Sequence, residues 1–238
     1  MQMVGTEILA NIIMINPKQL TFPWSKPNRS ELENFFFDEK NLKLKDVLLS
    51  NEDFFLYGRN KVGKTYLMQS LCNLYAKRNK TSLYIPLKDI LNLDTSLLDS
   101  LDNLDLICID DINLINGKDK WELAFFNLIN NCLTSRCRLI FCSSINPSQL
   151  LFKLKDLESR IKKLDSFEIL PVSDSNLVNA LNFIAKSRAI NLGIKELNYL
   201  VKYSKRSFSS LIKLIDKLDK LSMEQKRKIT IPLIKEII

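Results

Sequence analysis

Histidine is absent from the 238 residues, which removes His-based catalytic triads and histidine metal ligands together. Glycine is nearly as scarce, with five in the chain, so a motif that uses two of them marks a place where the backbone needs unusual freedom. Cysteine occurs as Cys72, Cys108, Cys132, Cys137 and Cys142, never as a CxxC pair and each time in an apolar run. That pattern reads as buried free thiols rather than a metal site. No stretch supplies the roughly 18 uninterrupted apolar residues of a membrane span. The apolar stretch from Ile8 to Ile15 is broken by Asn11 and lacks the basic lead and small-residue cleavage site of a signal peptide. A cytoplasmic protein with no membrane partner is expected.

What is present suits a folded, charged molecule. Hydrophobic residues form 46% of the chain, ample for a packed core, and charged residues 26%. The net charge of +8 is unevenly placed: residues 1–170 hold 22 basic and 21 acidic side chains, residues 171–238 hold 13 and 6. A basic tail fits nucleic acid or an acidic protein as partner. The excess of Lys over Arg (26 to 9) and the 22 Asn read equally as compositional drift.

Along the chain, residues 1–18 read as a loose leader, with Met14 as an alternative start, and 19–30 as an extended, proline-punctuated segment. Leu32 to Leu49 reads as mostly helical, with a turn near Asp38 to Asn41. Apolar runs at Phe54–Tyr57, Ser82–Ile85, Leu104–Ile109 and Arg138–Cys142 read as strands. Thr65–Arg78 and Trp121–Leu133 carry helical periodicity between them. Strands alternating with helices predict an α/β fold, a parallel sheet covered on both faces. After Pro171 the alternation stops. Asp174–Ala189, Ile194–Tyr203 and Phe208–Leu221 read as helices, with Ser173 as N-cap of the first. The expected division is an N-terminal segment (1–23), an α/β domain (24–170) and an α-helical lid (171–238).

Gly58-Arg59-Asn60-Lys61-Val62-Gly63-Lys64-Thr65 fits GxxxxGK[ST] at every fixed position, between a predicted strand and a predicted helix. Glycines let backbone N–H groups wrap phosphates where a side chain would collide, and the helix that follows points its positive end at the anion. Lys64 is expected at the β- and γ-phosphates of ADP or ATP, and Thr65 on Mg²⁺ through its hydroxyl. Leu106-Ile107-Cys108-Ile109-Asp110-Asp111 has the apolar-then-acidic form of a Walker B strand. Asp110 would hold the Mg²⁺ shell and Asp111 would polarise an attacking water. Ser144, at the tip of the next strand, is a candidate γ-phosphate sensor, although serine there also simply turns the chain.

With these motifs the chain resembles the DnaA-related AAA+ family of P-loop proteins, and within it the Hda-type regulators, from about Gln19 to the C-terminus. Trp121-Glu122-Leu123-Ala124-Phe125-Phe126-Asn127-Leu128, Asp156-Leu157-Glu158-Ser159-Arg160 and Thr230-Ile231-Pro232-Leu233-Ile234-Lys235-Glu236-Ile237 carry the likeness beyond the P-loop. It implies a RecA-like sheet followed by a lid, and an arginine finger at Arg160 acting in trans on ATP held by DnaA. Because the lid pattern runs to the last residue, no helix-turn-helix domain of the DnaA kind is expected. Gln19-Leu20-Thr21-Phe22-Pro23 resembles the family's binding motif for the sliding β-clamp of DNA polymerase III. There Gln19 would bond at a pocket rim, Leu20 and Phe22 would insert, and Pro23 would keep the peptide extended.

The implied function is negative control of replication initiation, with DnaA and the clamp on DNA as partners and ADP or ATP with Mg²⁺ as cofactor. Intact Lys64, Asp110 and Asp111 leave room for weak intrinsic hydrolysis. The family's lid arginine falls at Ser209, with Arg206 the nearest substitute, and Ser144 and Asn146 stand where the family tends to carry Asp-Arg-Pro. A helicase loader of the same branch, a short DNA-binding factor using the basic lid, and a homodimer remain open.

Overall fold

The computed structural model describes residues 30–204 and 207–238. Five strands form one parallel sheet: β1 (Phe54–Tyr57), β2 (Ser82–Pro86), β3 (Leu106–Asp110), β4 (Arg138–Ser143) and β5 (Asp165–Glu168), in the order β2-β3-β4-β1-β5. Every pairing is parallel; Phe54 lies opposite Ile140 and Asp165, and Cys108 opposite Tyr84 and Ile140. Parallel strands require crossovers, and most of these are helical. The helices are α1 (Leu42–Leu49), α2 (Lys64–Lys77), α3 (Leu87–Ile90), α4 (Asp119–Ser135), α5 (Lys155–Lys163), α6 (Leu177–Ser187), α7 (Ile194–Tyr203), α8 (Phe208–Gln225) and α9 (Ile231–Lys235).

The strands are apolar on both sides because both faces are covered. Phe54, Leu56, Ile140 and Cys142 pack with Leu67, Met68, Leu71 and Tyr75 of α2. Phe55, Ile107, Ile109 and Phe141 face the other way, onto Trp121, Phe125, Leu128 and Ile129 of α4. Each such side chain, fully buried, stabilises by about 1.5–3 kcal/mol. A third core, separate from these, joins α6 to α9 through Leu181, Leu197, Leu200, Leu211, Ile215 and Leu233.

Several expectations change. The expected turn near Asp38 to Asn41 is present as a 3₁₀ turn at Glu39–Asn41, but the helix expected before it is only a 3₁₀ turn at Leu32–Asn34, residues 35–38 lie between the two, and only Leu42–Leu49 is α-helical. The cause is Asp38. Its carboxylate is 2% exposed and accepts from the Ser173 N–H (2.7 Å), the Ser173 hydroxyl (2.8 Å) and the Asn176 amide (3.2 Å). Ser173 therefore makes no cap bond: its hydroxyl serves Asp38, and a 3₁₀ turn (Asp174–Asn176) precedes α6. The strand β5 and the helices α5 and α9 were not foreseen. Among the described residues no helix is long and apolar enough to cross a membrane. Four cysteines are buried and Cys72 is half-buried, all as free thiols.

Candidate functional site

The phosphate-loop sequence links β1 to α2. At Gly58 (φ +153°) an added Cβ would lie 2.4 Å from the Ile169 carbonyl oxygen, and at Gly63 (φ +107°) 2.6 Å from the Phe35 ring. Both glycines are thus required by close approach as well as by backbone angle. Lys64 opens α2, is 6% exposed and donates to the carbonyls of Gly58 (2.7 Å) and Arg59 (3.0 Å). Asn60 and Thr65 are exposed at the same loop.

Asp110 ends β3 and is 3% exposed. One oxygen, Oδ2, accepts from the Thr65 hydroxyl (2.6 Å), 45 residues away, and from the Tyr84 hydroxyl (2.9 Å). The two acidic-strand and phosphate-loop motifs therefore meet directly. Burial and the Asp110 charge push the Tyr84 phenol up. Asp111 sits in the left-handed region (φ +61°), which Asp tolerates better than most residues. Burial, then the negative charge of Asp110, raises its carboxyl above the ordinary value. Thr65 and Asp110 supply hard oxygen donors side by side, the donor type that suits Mg²⁺.

The strand β4 runs one residue further than expected, with Ser144 directly after it. Ser143, fully buried, is the strand's last residue, donating to Asn113 Oδ1 (2.9 Å) and accepting from the Ile145 N–H (3.1 Å). Ser144 is half-buried, with no side-chain hydrogen bond among the described residues. Asn146 caps the turn at Pro147–Gln149 by accepting from the Ser148 N–H (2.9 Å). Arg206, like Gln19, Leu20, Phe22 and Pro23, lies outside the described residues.

Beside the loop, a cleft opens between the α/β body and the third core. Phe35, Phe36, Val62 and Tyr66 line one side, and Val172, Ile184, Phe208 and Ile212 the other. Its apolar, aromatic walls suit a flat heterocycle. Phe36 meets Phe183 of α6 with ring centroids 5.8 Å apart, tying body to helices. Of the cleft residues, Val62 and Gly63 belong to the phosphate-loop motif, Ser209 marks the place of the family's lid arginine, and Phe208 begins a predicted helix; the aromatic and aliphatic walls had no signal in the sequence.

Arg160 lies elsewhere, on α5, and lines none of this cleft. Leu157 and Ile161 are the residues that this helix buries. Glu158 pairs with Lys155 (3.0 Å) and Lys162 (2.6 Å), so it does not hold Arg160. Among the described residues the exposed Arg160 guanidinium has no hydrogen bond or ion pair. Just before α5, the Leu154 N–H donates to Glu122 (2.8 Å), whose other oxygen accepts from the Gly117 N–H (2.7 Å). Glu122 is 1% exposed, so α5 is tied to α4 and to the turn that follows Asp111.

Comparison with known proteins matches two family descriptions. Residues 46–167 match the bacterial DnaA ATPase domain, and residues 174–238 match "Hda, lid domain". A protein of Haemophilus influenzae described as uncharacterized is 32% identical over 228 residues, covering 93% of this chain and 98% of its own length. Among solved structures, domain III of Thermotoga maritima DnaA superposes with a TM-score of 0.73 at 21% identity, over 88% of this chain and 97% of that one. Aquifex aeolicus DnaA bound to AMPPCP gives 0.66 at 24% identity, over 80% of this chain and 66% of that one.

Proposed function

This chain belongs to the DnaA-related AAA+ family and carries an Hda-type lid, and from that premise we propose that it is a negative regulator of replication initiation which promotes hydrolysis of ATP bound to DnaA. In this reading the α/β domain (24–170) and the lid (171–238) hold ADP or ATP between them. Gly58, Asn60, Gly63 and Lys64 embrace the phosphates, and Ser144 and, from the sequence alone, Arg206 would sense their distal end. Thr65 and Asp110 would hold Mg²⁺, which would neutralise phosphate charge. The Aquifex DnaA that shares this fold is bound to AMPPCP, which supports an adenine nucleotide here. Asp111, with its raised carboxyl, is suited to a slow intrinsic hydrolysis. The motif Gln19-Leu20-Thr21-Phe22-Pro23 would attach the protein to the sliding clamp on DNA.

The observation that carries the reading is Arg160: an exposed guanidinium without a partner among the described residues, on a helix that Glu122 anchors. Water attack on the γ-phosphorus spreads negative charge over the equatorial oxygens. A guanidinium inserted from a second molecule donates to them, and such fingers are worth about 10³–10⁵ in rate. The test is turnover of DnaA–ATP with and without this protein, on DNA with and without loaded clamp. Acceleration that needs both supports the proposal. Helicase binding that ignores the clamp would favour a loader. Salt-dependent duplex affinity without DnaA would favour a DNA-binding factor using the basic lid.

A further inference from the structure

The nucleotide cleft continues past Tyr66 into a second opening lined by Asn34, Thr65, Tyr66, Gln69, Ser187 and Arg188. Arg188 lines both openings. Of the described lid residues that face either one, it alone carries charge. It caps α6, one turn beyond Ile184, so the two share the helix face turned toward the phosphate loop. Its guanidinium is 40% exposed and bonded through one nitrogen to Asp216 of α8, itself 51% exposed. Arginine has five N–H donors and no acceptor, so most of its donors remain available, and they seek oxygens. A nucleotide in this cleft would bring the oxygens of its sugar and phosphates, and the carboxylate on α8 would compete with them for the guanidinium.

We propose that Arg188 is a nucleotide-contacting residue of the lid, donating to the sugar–phosphate portion and exchanging its partner Asp216 for it. The proposal rests on the nucleotide reading above. Occupancy of the pocket is then registered inside the lid, because the exchange releases the tie between the end of α6 and the middle of α8. Ser209, which also faces the phosphate loop, has a hydroxyl 3.1 Å from that of Ser207 and brings no charge.

The experiment is ADP titration of the full chain by calorimetry, for wild type, Arg188→Ala, Asp216→Asn, the double variant and Lys64→Ala. Arg188→Ala is expected to weaken ADP about 10-fold, the loss of one charge-assisted bond. Asp216→Asn is expected to tighten it, because the competing carboxylate is gone, and to have no effect once Arg188 is Ala. A merely structural ion pair would make both single variants weaker, and that result overturns the proposal, as does wild-type affinity in Arg188→Ala. If wild type and Lys64→Ala fail alike to bind millimolar ADP, the nucleotide reading itself falls, and the Arg188 assignment with it.

Discussion

Lys64 and Arg160 are both cations placed by a helix, yet their surroundings are opposite. Lys64 is 6% exposed and donates to two carbonyls of its own loop, within reach of Thr65, Asp110 and the aromatic cleft. Arg160 stands exposed, while the acid nearest it in sequence is taken by two lysines. A buried cation with local partners has its desolvation offset in place and suits a ligand that enters its own pocket. An exposed guanidinium on an anchored helix is arranged for a different molecule. In the proposed reading, the protein thus separates receiving a nucleotide from acting on one.

The comparison breaks if the two sites prove interchangeable. Arg160→Ala is expected to reduce stimulation of DnaA-bound ATP hydrolysis by about 10³-fold or more while leaving the protein's own ADP affinity unchanged, read by phosphate release and by calorimetry on the same preparation. Lys64→Ala is expected to lower ADP affinity by about 10²-fold, the loss of charge-assisted bonds to phosphate. In a thermal-shift experiment it would forfeit most of the roughly 2.7 kcal/mol that ligand at a hundred times its Kd confers.

Smaller effects sharpen the boundary between body and lid. Asp38→Asn removes charge from three hydrogen bonds that reach Ser173 and Asn176 and is expected to cost about 1–3 kcal/mol in chemical denaturation. The Ser173 N–H, foremost, holds the Asp38 carboxyl below its ordinary value. Its contribution is therefore complete above about pH 5 and lost as the pH falls through the depressed pKa. The deficit of the variant relative to wild type should shrink in acid; a deficit constant down to pH 3 would contradict this. Smallest is Tyr84→Phe, which takes one donor from Asp110 and is expected to cost about 0.5–1.5 kcal/mol with ADP affinity changed less than in Lys64→Ala.

The elements that sequence reading found differ in one property from those it missed. The strands β1, β3 and β4 are short apolar runs, and the phosphate loop has fixed spacing, so each announces itself locally. The strand β5 reads Asp-Ser-Phe-Glu and is mostly exposed; as an edge strand it owes its existence to pairing with β1, which no local pattern records. Helix α9 has five residues with a proline near its start, too few for a period. The break after Asn34 follows from Asp38 reaching Ser173, 135 residues on. At the site, Lys64, Thr65 and Asp110 were legible because their chemistry dictates residue type and spacing. Phe35 against Gly63, Ser143 with Asn113, and Arg188 with Asp216 depend on distant segments meeting, and only the i, i+4 relation of Ile184 and Arg188 hinted at the last.

The most direct test of the central claim compares wild type with Arg160→Lys in a single-turnover assay. DnaA is preloaded with γ-labelled ATP, and the protein is added on clamp-loaded DNA at matched, saturating concentration. Lysine keeps the charge but loses the planar fork, and Lys162 and Lys163 already stand nearby. The account predicts rapid phosphate release with wild type and a rate near that of DnaA alone with Arg160→Lys. Release by Arg160→Lys at the wild-type rate would contradict a finger acting through its fork, and no acceleration by wild type would contradict the function itself.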